Sequence, residues 1–219
     1  MGPCLQYFAL GWCQNVYLVP GIMAKSSSKP WLHRHITDSY VRKAKEKGYR
    51  SRAAFKLLEI DEKEKLLRPG ATVVDLGSAP GGWSQVAAAR VRPGGSVTAI
   101  DLIEMAPIAG VAFQKGDFRE LAFAGPADVV LCDVSPNISG IRDTDQARVA
   151  ELVEQATALA RKVLAPGGAF LVKVFHGGRF PALLEEMKRN FRTVQVCKPG
   201  ASRSESRETY LLARGPREQ

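Results

Sequence analysis

The stretch Thr72-Val-Val-Asp-Leu-Gly-Ser-Ala-Pro-Gly-Gly-Trp-Ser84 constrains the fold of this chain more than any other. A β-branched apolar run closes on Asp75 and gives way to a loop holding Gly77, Gly81 and Gly82. An Ala-rich segment of helical character follows, from Val86 to Val91. Strand, glycine loop and helix form the first half of a βαβ unit, and open α/β sheets bind ligands at the carboxyl ends of their strands. Glycine lets backbone approach a ligand closely, and the start of a helix offers free N–H groups. A tight turn with no ligand has the same outline, so this segment alone leaves both readings open.

The rest of the chain repeats the alternation. Further strands are expected at residues 96–100, ending at Asp101, and at 110–114, followed by Gly116-Asp117-Phe118. Residues 127–133 are apolar enough to be buried on both faces and end at Asp133. Three more strands are expected at 169–175, 193–197 and 209–213, with Lys173 a charge amid apolar neighbours. Helices are expected over 52–65 with Ser51 as cap, over 145–163, and over 181–190 with Pro181 in the first turn. Pro166-Gly-Gly168 is expected to end the second of these. Strands alternating with helices predict an α/β fold with a mainly parallel, doubly wound sheet of seven strands. A chain of 219 residues suits one such domain with small appendages.

Charge adds a partner class. The net charge of +9 suits a polyanion, whose phosphates attract such a surface. Between Lys25 and Lys56 ten basic residues face only Asp38 and Glu46, with Trp31, Tyr40, Tyr49 and Phe55 interleaved. Basic residues mixed with aromatics resemble a nucleic-acid surface, although charge runs are often only solvated faces. Residues 1–22 contain no charged side chain and lack the basic flank of a secretory signal and the arginines of a mitochondrial one. Gly11, Gln14, Asn15 and Pro20 interrupt this run, so no membrane span is expected. Met23 then begins a stretch that reads like an ordinary start, with 1–22 untranslated or disordered. The expected organisation is an extension at 1–22, a basic, RNA-contacting helical segment at 23–68, and a catalytic domain at 69–219. Four cysteines without C-x-x-C or zinc spacing point to a reduced, cytoplasmic setting and to no metal.

The loop chemistry narrows the ligand. In the dinucleotide fingerprint the middle glycine approaches a pyrophosphate; here Ala79 holds that position and Pro80 follows. No Gly-Lys-Ser/Thr closes the loop, so it is not a P-loop. Asp75, just ahead of the glycines, would repel a pyrophosphate and suits a cationic group.

Asp75-Leu-Gly-Ser-Ala-Pro-Gly-Gly-Trp83, with Ser51-Arg-Ala-Ala-Phe-Lys56 upstream, resembles the FtsJ/RrmJ (RlmE) family of ribose 2′-O-methyltransferases. So do Gly116-Asp-Phe118, Asp133-Val-Ser-Pro-Asn137, Val172-Lys-Val-Phe175 and Ser204-Glu-Ser-Arg-Glu208, in the same order, from about Trp31 to Ala213. The resemblance implies a Rossmann-like S-adenosylmethionine-dependent methyltransferase fold with helices on both faces of the sheet. It implies methylation of a uridine in 23S ribosomal RNA; the expected substrate is the large subunit or its precursor, and no feature of the sequence suggests an obligate dimer, so a monomer is expected. It implies a catalytic set of Lys56, Asp133, Lys173 and Glu208. For the cofactor it implies contacts from Gly81, Gly82 and Trp83 around the methionine portion, Asp101 on the ribose and Asp117 on the adenine amino group, with Asp75 and Asp133 favouring positive charge. A ribose hydroxyl is a poor nucleophile and needs a base, and an amine serves as one only when uncharged, a form that burial and a second cation favour. A tRNA or mRNA-cap 2′-O-methyltransferase, and a non-catalytic ribosome-assembly factor, remain as alternatives.

Overall fold

The computed structural model describes residues 38–217 apart from 121, 122, 124, 136–138, 204 and 205. The uncharged stretch 1–22, Met23, the basic and aromatic residues up to Arg34, and Pro136, Asn137, Ser204 and Glu205 of the motifs lie outside the described residues.

Seven strands form one sheet: β1 (Thr72–Leu76), β2 (Ser96–Asp101), β3 (Val111–Lys115), β4 (Ala127–Cys132), β5 (Leu164–Phe175), β6 (Phe191–Cys197) and β7 (Glu208–Pro216). Their order is β3-β2-β1-β4-β5-β7-β6. The first five pair in parallel, and β7 is inserted antiparallel to both β5 and β6. From β1 the chain winds outward to β3 and then crosses back to β4, so the order reverses between β1 and β4. That switch point opens a crevice beyond the carboxyl ends of the strands.

Among the described residues there are five helices, α1 (Ser39–Glu46), α2 (Ala53–Glu64), α3 (Gly82–Arg90), α4 (Arg142–Val163) and α5 (Phe180–Asn190), of which α2 to α5 pack on the sheet and α1 on α2. Successive strand residues point to opposite faces, and the two cores follow that rule. Val73, Val129, Leu171 and Leu212 pack against Ala54, Leu57 and Ile60 of α2 and Val86 and Ala87 of α3. Val74, Val130, Phe170 and Val172 pack against Ala150, Val153 and Ala156 of α4 and Leu183 and Met187 of α5. Helix α2 therefore shares the core of the sheet, and residues 53–67 form part of the same packed body.

Three local expectations are corrected. Ser51 does not cap α2 with its hydroxyl: its carbonyl accepts from Ala54 N–H at 3.3 Å, and the helix begins at Ala53. The hydroxyl is turned to the glycine loop, where a Cβ at Gly82 would lie 2.3 Å from it. Pro166-Gly-Gly168 does not separate helix from strand. Leu164 already pairs with Ala127, register resumes at Val129 and Ala169, and Gly167 at φ +83° carries the intervening bulge. Helix α4 starts at Arg142 and not at Asp145, whose carboxylate accepts from Ser139 and Gly140 N–H at 2.8 and 3.0 Å and so holds an extra turn in front of it.

The basic segment divides its labour. Phe55 meets Tyr40 at 5.5 Å and Tyr49 at 5.7 Å between ring centroids, so these aromatics are spent on seating α1 against α2. Arg42, Lys43, Lys45 and Lys47 remain exposed.

Candidate active site

Strand pairing brings the catalytic candidates together. In the antiparallel register Lys173 lies opposite Tyr210, and Phe175 opposite Glu208. These four side chains therefore share one face of the sheet at the carboxyl end of β5. Lys173, with 7% of its side chain exposed, donates to the Asp133 carbonyl at 2.8 Å and pairs with Asp133 Oδ1 at 3.1 Å. Lys56 reaches in from α2 and pairs with Glu208 Oε1 at 2.5 Å. Leaving either lysine buried without these partners would be costly.

Tyr210 joins the two pairs. Its hydroxyl lies 3.3 Å from Asp133 Oδ1 and 3.1 Å from Glu208 Oε1, and it can donate its one proton to either. Ser202 also donates to Glu208 Oε1, at 3.1 Å. Burial pushes the Glu208 carboxyl up, but the Lys56 ammonium and its hydrogen bond outweigh burial and hold it below the usual glutamate value. Burial and the two carboxylates raise the Tyr210 phenol well above its ordinary value, so it stays a donor. The four predicted catalytic residues are thus brought into one hydrogen-bonded cluster. Tyr210 and Ser202 were missed, because an apolar-flanked tyrosine in a strand and a serine in a polar loop carry no signal of their own.

Beside the cluster a cleft of about 580 Å³ opens at the ends of β1, β2 and β4, lined by Gly77, Ala79, Asp101, Asp117, Asp133 and Ser135 among others. Asp101 bridges its walls, accepting from Ala79 N–H and from Ile103 N–H, each at 2.8 Å. Leu102 and Ile103 are exposed large apolar residues on this rim, a second feature that the sequence reading passed over. Asp117 is gripped by Arg119, whose Nε and backbone N–H reach Oδ1 at 2.8 and 3.0 Å and whose Nη2 contacts Oδ2. These hydrogen bonds outweigh burial and hold the Asp117 carboxyl below its usual range.

The glycine loop is tight for reasons of its own chain. Gly77 and Gly81 have φ of +71° and +108°, and a Cβ on Gly77 would lie 2.6 Å from the Val134 side chain. Gly81 caps α3, so the first amides of that helix, from Gly82, Trp83 and Ser84, have no intrahelical acceptor. The Trp83 ring is buried against Tyr210, and its indole N–H donates to the Ala53 carbonyl at 2.8 Å. Any contact from Trp83 to a ligand at the helix start must therefore come from its backbone.

Asp75 is the test of cofactor fit. It is fully buried, accepts from Ser84 Oγ at 2.6 Å on Oδ2, and has no partner for Oδ1 among the described residues. Burial raises its carboxyl to about 7, with Asp133 and Asp101 adding to the rise against the Ser84 hydrogen bond. Three further carboxylates and an orphaned oxygen suit a cationic ligand bearing a ribose, and S-adenosylmethionine has both features. Among the described residues no His, Cys, Asp or Glu cluster could hold a metal, and no helix is long and apolar enough to cross a membrane.

Comparison with known proteins agrees with this geometry. A Methylobacillus flagellatus protein named ribosomal RNA large subunit methyltransferase E is 51% identical over 197 residues, covering 86% of this chain and 95% of that protein. Its namesake from Bradyrhizobium diazoefficiens is 52% identical over 212 residues, covering 92% and 93%. A crystal structure of a Plasmodium falciparum protein described as a ribosomal RNA methyltransferase superposes with a TM-score of 0.70 at 27% identity, over 78% of this chain and 100% of that one. Residues 49–216 match the FtsJ-like methyltransferase family, and with its Rossmann-like sheet this chain belongs to that family.

Proposed function

We propose that this chain is an S-adenosylmethionine-dependent ribosomal RNA methyltransferase that modifies the 2′-hydroxyl of a uridine in 23S RNA. In this reading it acts as a cytoplasmic monomer on the large subunit or its precursor. The observation that carries the reading is the hydrogen-bonded chain Lys56–Glu208–Tyr210–Asp133–Lys173 beside an acidic cleft.

S-adenosylmethionine supplies a methyl group on a sulfonium centre. Asp101 and the amides of Gly82 and Trp83 would hold it, with Gly81 giving the backbone a close approach, Asp117 at the base, and Asp75 and Asp133 offsetting its charge. Lys173 Nζ, once it has released its own extra proton to solvent, would take the proton of the ribose hydroxyl while that oxygen accepts the methyl group and the sulfonium leaves as a neutral thioether. Asp133 fixes Lys173 through two atoms, its carbonyl and Oδ1. Glu208 holds Lys56 beside the acceptor, and Tyr210 keeps both carboxylates in place. Much of the acceleration comes from fixing the two reactants in line. The exposed lysines of α1 supply the attraction for RNA phosphates.

The test is a map of ribose methylation across all ribosomal and transfer RNA in a strain lacking the gene. One large-subunit uridine should lose its methyl group and regain it from a plasmid copy, but not from Lys173→Met. An unchanged 23S map, with a lost mark in transfer RNA, would replace this reading with the tRNA alternative.

A further inference from the structure

A second cavity, of about 230 Å³, opens over the end of β5 on the side of α4 and α5. It is smaller than pockets that take drug-sized ligands, roughly 300–1,000 Å³, and suits a single ring system. Phe175, Phe180, Val149 and Leu183 make its wall apolar, and the His176 ring lies 4.3 Å from that of Phe180.

Three connections tie this cavity to the reaction centre. Lys173 Nζ lies 6.0 Å from the centroid of the Phe175 ring. His176 N–H donates to the Arg207 carbonyl at 2.8 Å, and Arg207 directly precedes Glu208. Ser135 lines both this cavity and the cofactor cleft.

The polar groups also have a pattern. Gln146 is half-buried in the wall beside Gly177, and its amide has no hydrogen-bond partner among the described residues. Arg179 and Arg207 are exposed at the rim, with no carboxylate partner among the described residues. Asp145, the acidic side chain present, is already engaged by Ser139 and Gly140. An apolar aromatic slot with one free amide and two guanidiniums has the chemistry of a site for a single base and its phosphates. Tyr40, Tyr49 and Phe55 of the basic segment cannot serve, since they pack on one another.

We propose that this cavity receives one unstacked base of the RNA acceptor, adjoining the ribose that is methylated. Gln146 reads the hydrogen-bonding edge of that base, and Arg179 and Arg207 hold its flanking phosphates. The duplex would have to open locally for the base to enter, as enzymes acting on stacked nucleotides require. The inference rests on the RNA methyltransferase reading, and the experiment separates the two.

Wild-type protein would first be assayed with S-adenosylmethionine on large subunits from a strain lacking the gene. Absence of methylation there overturns the function itself. The same protein, saturated with S-adenosylhomocysteine, would then be irradiated with oligoribonucleotides carrying one 4-thiouridine at the target or at either neighbour. Crosslinked peptides spanning residues 175–180 are expected from one of the three positions, which also identifies the base that enters. Crosslinks confined to other surfaces, from a protein that methylates subunits, overturn the pocket. Gln146→Ala and Phe180→Ala should raise KM for subunits about tenfold, with S-adenosylhomocysteine affinity within about twofold of wild type. An unchanged KM in a Gln146→Ala protein of normal thermal stability counts equally against the proposal.

Discussion

Along the carboxyl edge of the sheet, the carboxylates of the candidate cofactor cleft meet partners nearer in the chain than the lysines of the lysine–carboxylate cluster do. In the cleft, Asp101 meets Ala79 twenty-two residues away and Asp117 meets Arg119 two away, and the buried Asp75 meets Ser84 nine away. In the cluster, Lys173 and Asp133 are 40 residues apart, and Lys56 and Glu208 are 152 apart. The charge balance differs as well. Two lysines each pair with a carboxylate in the cluster, whereas Asp75, fully buried and not part of the cleft lining, has an oxygen with no partner among the described residues. On the proposed reading, the cleft receives the cationic cofactor, and the cluster, already hydrogen-bonded without a ligand, receives the acceptor hydroxyl. Perturbing them should therefore have separable consequences.

Replacing Lys173, the proposed base, breaks the comparison hardest. Lys173→Met keeps an apolar stem in the buried position while removing the amine. Methyl transfer should fall by about 10² to 10⁴, the usual range for a general base. Cofactor affinity, set by the cleft, should stay within a few-fold. Rapid-quench measurement of methyl incorporation alongside calorimetric titration of S-adenosylhomocysteine reads both. A variant that loses binding and turnover in parallel would show that the two regions are not separable.

The same division explains what the sequence disclosed. The strand–glycine–helix unit, Asp101 and the seven strands were legible because local pattern and turn chemistry decide them. Lys173 was legible as a charge inside an apolar strand. Its neighbours in space were not, since composition does not say that β7 enters antiparallel beside β5 and sets Tyr210 opposite Lys173. The roles of Lys56 and Glu208 came from family resemblance, and the structure supplies the contact between them. Arg119 was invisible for another reason. An exposed arginine two residues from an aspartate is commonplace until both of its arms are seen on the same carboxylate. The bulge at Gly167 and the extra turn of α4 were lost to tertiary pairing and to a cap reaching backward from inside the helix.

A second prediction sharpens the cleft side. Burial holds the Asp75 carboxyl near 7, so at lower pH it is protonated and neutral in the unliganded protein. A cation in the cleft favours the ionised form, so binding releases a proton. Affinity for S-adenosylmethionine should therefore rise by up to about tenfold per pH unit below 7 and level off above it. The folded value lies above the unfolded one near 4, so the stability of the free protein should fall over the same window and then flatten. Asp75→Asn should remove both slopes, measured by titration and by thermal unfolding from pH 5 to 9. A pH dependence that survives in Asp75→Asn would assign it to another group.

The smallest effect tests the bridge between the two lysine pairs. Tyr210→Phe removes only the hydroxyl that links Asp133 Oδ1 and Glu208 Oε1, and the ring can keep its contact with Trp83. Each carboxylate retains its lysine, so the loss should be that of one hydrogen bond, about 1 kcal/mol or a fivefold to tenfold fall in kcat. The phenol is held protonated well above neutrality by burial and its acidic neighbours, so the deficit should be constant from pH 6 to 9. Cofactor affinity should not move. If Tyr210 acted by ionising, the deficit would grow toward alkaline pH; if it merely filled space, Phe would match wild type. A constant, modest loss confined to kcat is the outcome that places Tyr210 as the positioning residue of the cluster.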